Sequence, residues 1–270
     1  MIRRWSIPLA TLTLVFGSML TAATAASASQ AAHSAAVHPA AAQHFRPGGV
    51  MIRPGGAHAT THNGRTTDES TNWSGYAATG ANGAFKSVSA SWTEPKATCN
   101  GTKYAAFWVG LDGFTSDSVE QTGTDSDCDG TSPDYYGWYE MYPADPVNYT
   151  NTVKAGDHFT ASVTFSGTET YTLVLSDTTQ GWTKTTTKNE SGLDRSSAEV
   201  ITEAPSSESG VLPLADFGTV TYSVSAANGT SLGSQNPTGI VMINNSGADK
   251  DSTSSISSGG AFSNTWIRSS

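Results

Sequence analysis

Positive charge is scarce in this chain of 270 residues: 14 lysines and arginines face 23 acids, a formal net charge of −9. No basic stripe exists to neutralise phosphates, which excludes a nucleic-acid partner. Charged residues of both signs reach only 14%. Leu, Lys, Arg and Glu, which fill exposed helix positions, are few, and no segment keeps a capped 3.6-residue period. Both absences argue against a helix bundle. Histidine almost vanishes beyond residue 68, where His158 is the last of six. A Ser-His-Asp triad would have to recruit His158 from inside an alternating, strand-like run. There is no G-x-S-x-G elbow, no H-E-x-x-H and no nucleophilic Cys with a matching His. Any hydrolytic chemistry therefore falls to carboxylates, and no cofactor or metal site is expected.

Long apolar runs are missing too, except at the start. Arg3 and Arg4 precede an apolar stretch from Ile7 to Leu20, followed by small residues from Thr21 to Ala28. Pro8, Thr11 and Thr13 break the stretch, which is too short to span a bilayer. It reads as a secretory signal peptide over 1–28. The protein is then expected to be secreted, with no membrane contact once the signal is removed. Residues 29–68 are rich in Ala, His, Gly and Pro and lack a core pattern, so they read as a disordered pro-segment or linker. His33, His38, His44, His58 and His62 are spaced too irregularly to favour a metal site over a solvated segment. Up to residue 68 there are five cations and one acid, Asp68, which leaves nine basic and 22 acidic residues in 69–270, a formal charge of −13.

What is plentiful is Ser, Thr and Gly in alternation with apolar residues. Ser87–Trp92, His158–Phe165, Tyr171–Leu175, Gly181–Thr187, Gly218–Val224 and Gly239–Ile243 carry the period of two that marks half-buried strands. The fold class expected for 69–270 is all-β, an antiparallel two-sheet sandwich of the concanavalin-like jelly-roll kind. Nothing in it demands more than a monomer. In an exported chain the only two cysteines, Cys99 and Cys128, are expected to form a disulfide.

Three segments stand out chemically: Phe107–Gly113 leading into Val119–Asp125, the aromatic run Tyr135–Pro143 around Glu140, and Ser197–Glu203. In a strand, Glu199 and Glu203 point to the same face. An inner face makes carboxyls costly unless paired, and so candidates for function; an outer face makes them ordinary solvated acids. Pattern alone leaves both open.

The motifs Asn72-Trp-Ser-Gly75, Ser87 to Pro95, Trp108-Val-Gly-Leu-Asp112, Gln121-Thr-Gly123, Trp138-Tyr-Glu-Met-Tyr-Pro143 and Ala198-Glu-Val-Ile-Thr-Glu203, followed more loosely by Leu214-Ala-Asp-Phe-Gly218 and Ile240-Val-Met-Ile-Asn244, occur in one order across nearly the whole of 70–245. In that order they resemble the glutamic peptidases, or eqolisins, secreted acid endopeptidases with a two-sheet sandwich. The resemblance implies a catalytic dyad of Gln121 and Glu203, with Glu199 as the reserve assignment. It places Trp73, Trp108, Asp112, Asp125, Glu140 and Tyr142 at the substrate cleft or in support of it, and implies protein or peptide substrates. Ser74 stands where the family often has glycine, and Val200 where it commonly has an aromatic residue.

The chemistry of such a dyad can be written from its parts. A glutamate serves as general base to water and then as general acid to the leaving nitrogen. The amide of a glutamine donates to the oxyanion. Ionisation of the glutamate requires hydrogen bonds that offset its desolvation. An acidic chain with few cations is expected to work best below about pH 5. The basic pro-segment is expected to lie over the acidic cleft until the cleft protonates. Two competing readings remain: a carbohydrate-binding sandwich in which Trp138, Tyr139 and Tyr142 stack on sugars, and a glycoside hydrolase pairing Glu140 with Glu203.

Overall fold

The structure, a computed structural model, describes residues 49–55, 60–62 and 65–270. The segments read as signal peptide and most of the pro-segment lie outside these residues. Two sheets carry the fold. The front sheet runs in the order β1 (Thr60–His62), β2 (Arg65–Ser70), β17 (Thr238–Met242), β3 (Trp73–Thr79), β12 (Ser197–Glu203), β5 (Ala106–Leu111), β6 (Val119–Asp129), β7 (Ser132–Tyr142) and β8 (Val147–Asn148). The back sheet runs β11 (Trp182–Asn189), β10 (Thr170–Asp177), β9 (His158–Phe165), β4 (Ser87–Thr93), β15 (Thr219–Ala227), β19 (Phe262–Trp266) and β18 (Asp251–Thr253), with β16 (Thr230–Ser231) on β15. A small hairpin joins β13 (Ser206–Ser207) to β14 (Gly210–Val211). The expected antiparallel sandwich is what forms; β17 alone pairs parallel, to β2.

The two sheets use alternation differently. In the back sheet β4, β9 and β10 turn every second residue inward, so Val88, Ala90, Trp92, Phe159, Val163, Leu173 and Leu175 fill the interior. Their outward partners are Ser87, Ser89, Ser91, Thr160, Ser162 and Thr164, extended on β11 by Thr183, Thr185 and Thr187. That outer face is a lattice of hydroxyls broken by Val174 and by the exposed Val224 of β15. In the front sheet β5 and β12 are buried on both faces. One face packs on the back sheet through Phe107, Val109, Leu111 and Val200. The other carries a separate cluster containing Trp73, Trp108, Trp138, Phe114, Val119 and Ile201.

Cys99 and Cys128 form the expected disulfide. The domain boundary read at residue 68 falls inside β2, whose pairing with β17 begins at Thr67. Upstream of it, residues 49–53 are packed on the outer aromatic cluster of the front sheet, with Met51 among its buried members. The tail beyond Ser246 supplies β18 and β19, which complete the back sheet.

Candidate active site

Register decides which side chains meet. Across β3, β12, β5, β6 and β7 the pairings place Ala77, Glu199, Gly110, Gln121 and Glu140 in one row on the outer face of the front sheet. The next row holds Gly75, Ile201, Trp108, Gly123 and Trp138. The third holds Trp73, Glu203, Ala106, Asp125 and Tyr136. Gln121 and both glutamates therefore share a face, as the spacing predicts. They do not share a row. Glu203 stands four residues along from the Gln121 row, about 13 Å at strand rise. Glu199 is in line with Gln121, two strands over, with backbones about 10 Å apart.

Gly110 makes that gap usable. A Cβ there would lie 2.8 Å from the Trp108 ring, 3.0 Å from Val119 Cγ1 and 3.2 Å from Gln121 Cβ. With hydrogen in that place, Gly110 leaves room for the Trp108 ring, Val119 and Gln121 to pack between the strands of Glu199 and Gln121. Gly123 does the same for the neighbouring indole: a Cβ would sit 2.5 Å from Trp108 Cβ and 2.2 Å from Phe107 O.

Gln121 is fully buried, and its Nε2 donates to Glu140 Oε2 at 2.8 Å. A carboxylate accepts only, so this bond fixes which end of the amide is nitrogen. One N–H of the amide is engaged with Glu140. Glu199 is also fully buried. Neither of its oxygens makes a hydrogen bond among the described residues. Burial raises its pKa well above the carboxylate range, and the charges of Asp112 and Glu120 add to it.

Glu203 is held quite differently. Trp108 Nε1 donates to its Oε2 at 2.8 Å, and Asn72 Nδ2 to its Oε1 at 3.3 Å. Burial still outweighs these bonds and pushes its pKa up to about 8. The expectation that hydrogen bonds keep the catalytic glutamate ionised in acid is thus corrected at both glutamates: desolvation wins, and both carry protons at acidic pH.

The remaining predicted residues divide by role. Trp73 and Trp108 are buried edge to face, with centroids 4.9 Å apart, as the wall of the cluster. Tyr142 packs partly buried against the same cluster. Asp125 accepts from Trp138 Nε1 at 2.5 Å and from Tyr136 Oη at 3.0 Å, which fixes the far end of the face. Asp112 sits at φ 72° after β5 and accepts the backbone N–H groups of Arg195 and Ser196, anchoring the approach to β12. It supports the cleft from outside the row.

The competing readings lose their residues here. Trp138 is fully buried and offers no ring to a sugar, while Tyr139 and Tyr142 are partly buried against the two clusters of the front sheet and the sandwich. Glu140 is bound to the Gln121 amide in the first row, and Glu203 is in the third. Sequence reading missed two participants, Gly110 and Asn72. Both lie within quoted motifs, but a small residue and a neutral amide carry no chemical signal until neighbours are known.

Known proteins resemble this chain in sequence and in fold. A family model described as the peptidase A4 family matches residues 71–266. Scytalidopepsin B of Scytalidium lignicola is 33% identical over 146 residues, 52% of this chain and 54% of that protein. The chain therefore matches about half the length of that relative. Among solved structures, scytalido-glutamic peptidase with a transition-state analogue inhibitor superposes with a TM-score of 0.63 at 28% identity, covering 73% of this chain and 98% of the other. Aspergilloglutamic peptidase from Aspergillus niger gives 0.55 at 27% identity, covering 61% and 99%.

Proposed function

The chain belongs to the peptidase A4 family, whose members named above are peptidases, and we propose that it is itself an acid endopeptidase working through Gln121 and Glu199. The observation that carries this reading is the single row of Glu199, Gly110, Gln121 and Glu140. It moves the acid of the dyad from Glu203 to Glu199.

The reaction follows from the two side chains. In acid Glu199 is protonated, because burial has raised its pKa. A water held at Gln121 Oε1 attacks the carbonyl carbon of the scissile bond. One Glu199 oxygen accepts a proton from that water while the other gives its own proton to the leaving nitrogen. The C–N bond breaks, the products are a carboxylic acid and an amine, and Glu199 ends protonated as it began. An N–H of the Gln121 amide donates to the oxyanion, a contact worth roughly 3–4 kcal/mol in the transition state. Glu140 keeps the amide from rotating. Because the protonated acid is the working form, activity is highest in acid and declines as pH rises through the Glu199 pKa.

Export with removal of residues 1–28, action as a monomer outside the cell, and independence of metals complete the proposal. The test is digestion of an unfolded protein at pH 4 by wild type, Gln121→Ala, Glu199→Gln and Glu203→Gln. Glu199→Gln is expected to lower kcat by at least 10³-fold and Gln121→Ala by about 10²–10³-fold. Glu203→Gln is expected to keep kcat within threefold. Full turnover in Glu199→Gln, or its loss in Glu203→Gln alone, would return the dyad to Glu203.

A further inference from the structure

Two buried acids that the reaction does not use lie together where β9 begins and β10 ends. Burial alternates through Asp157, His158, Phe159 and Thr160, so Asp157 and Phe159 turn inward while His158 turns out. Phe159 pairs with Asp177, the last residue of β10, which also turns inward. Asp157 is 3% exposed and Asp177 is fully buried. Gln180 brings the two together: its backbone N–H donates to Asp177 Oδ1 and its Nε2 to Asp157 Oδ1, both at 2.9 Å. The charge of Asp157 is close enough to act on Asp177.

Backbone and amide donors account for three of the four carboxylate oxygens. Asp157 Oδ2 accepts from Lys154 N at 2.8 Å, and Asp177 Oδ1 accepts a second bond, from Thr179 N at 2.9 Å. Asp177 Oδ2 is left over: it is buried and makes no hydrogen bond among the described residues. A buried oxygen without a partner is destabilising, the more so beside a second carboxylate. No side-chain cation answers the pair. Lys154 is exposed and forms no ion pair with either acid among the described residues. His158 faces away, its Nδ1 within 2.8 Å of Thr93 Oγ1. The backbone around the acids is fixed: Glu94 N donates to Asp157 O at 2.9 Å, Gly156 N to Glu94 O at 2.8 Å, and Trp182 Nε1 to Thr152 O at 3.0 Å.

We propose that Asp157, Asp177 and Gln180 form a calcium site that staples the turn between β10 and β11 to the entry of β9. Asp177 Oδ2 and Asp157 Oδ1 supply the charged oxygens. With the ion bound, the Gln180 amide presents Oε1 in place of Nε2, and water completes the shell. Oxygen donors alone select a hard cation. Calcium accepts an irregular shell, whereas magnesium demands a near-ideal octahedron and gives up water reluctantly. Three protein oxygens place the affinity in the extracellular class, a Kd of about 10⁻⁴–10⁻³ M. The ion is structural. It belongs to the back sheet, while Gln121 and Glu199 lie on the outer face of the front sheet, so the inference stands apart from the peptidase reading.

Binding is measured on the full chain at pH 7 by thermal unfolding, in calcium chloride, in magnesium chloride at equal concentration, and in EDTA. At about 10 mM, calcium is expected to raise Tm by roughly 3–10 °C over magnesium, the shift that this affinity gives by mass action. Terbium is the luminescent probe. Trp182, which pairs with Asp177, is expected to sensitise its emission, and calcium to displace it. Asp177→Asn keeps an acceptor for the N–H groups of the turn and removes the charge; it is expected to abolish both the calcium shift and the terbium emission. Gln180→Ala, at an exposed position, is expected to weaken calcium about tenfold and serves where Asp177→Asn does not fold. Equal Tm in calcium and magnesium, absence of sensitised emission from the wild type, or a calcium shift that survives either substitution undiminished overturns the proposal.

Discussion

At the scale of single residues, the site depends on a missing side chain as much as on the acid and the amide. Gly110 separates Glu199 from Gln121, and a methyl group there would meet the Trp108 ring, Val119 and Gln121 within 2.8–3.2 Å. Overpacking of this kind costs about 1–3 kcal/mol, and displacing a reacting group by about 1 Å lowers rates on the order of 100-fold. Gly110→Ala is therefore expected to lower kcat by 10–100-fold with a small loss of stability, measured by steady-state kinetics beside thermal unfolding. The sequence made the relevant residue types legible: Gln121, Glu140, Glu199 and Glu203 were all candidates. It could not rank the two glutamates. Positions four apart in a strand share a face, but the row they occupy is set by pairing with β5 and β6, and no local pattern records that register.

At the scale of elements, legibility followed burial. β4, β9 and β10 alternate because one face meets the core and the other water, so their extents were readable to within about two residues. β5 and β12 are buried on both faces and read as apolar runs without a clear period. Their place beside one another at the middle of the front sheet was not readable at all. Nor was the start of the domain, since Arg65–Ser70 is polar in sequence and becomes a strand only by pairing with β17. The disulfide ties the loop before β5 to the end of β6, the strand that carries Gln121. It closes a loop of 29 residues, which in the chain-entropy account stabilises by about 3–4 kcal/mol. Replacing both cysteines with serine is expected to lower Tm by roughly 10 °C, at 2–4 °C per kcal/mol for a domain of this size. A drop below about 3 °C would show that the loop is already held by the bonds between Lys103 and Cys128.

At the scale of the whole molecule, buried carboxyls dominate the response to pH. Desolvation raises Glu94, Asp127 and Glu203 to about 8, Glu120 to about 9 and Asp251 to about 7. Each binds its proton more tightly in the folded state than in the unfolded chain. Their stabilising contribution is therefore complete below the unfolded values near 4 and is lost as pH rises through 7 to 9. Tm is expected to fall by at least about 5 °C between pH 4 and pH 8, equivalent to roughly 2 kcal/mol. Glu120→Gln, which removes a buried carboxyl whose two oxygens make no hydrogen bonds among the described residues, is expected to flatten that decline. A Tm that is level or rising toward pH 8 would contradict this account. The sequence showed the surplus of acids; burial of so many is what only the packed sheets reveal.

The hydroxyl lattice on the outer face of the back sheet has a bearing on the same conditions. The chain's isoelectric point is near 5.0, so on acidification the chain crosses zero net charge near that pH, where colloidal repulsion is weakest. Serine and threonine do not titrate there. The hydration of that broad face is accordingly the same on either side of the crossing, and it provides a constant barrier to precipitation while the mutual repulsion of the molecules disappears and then returns with opposite sign.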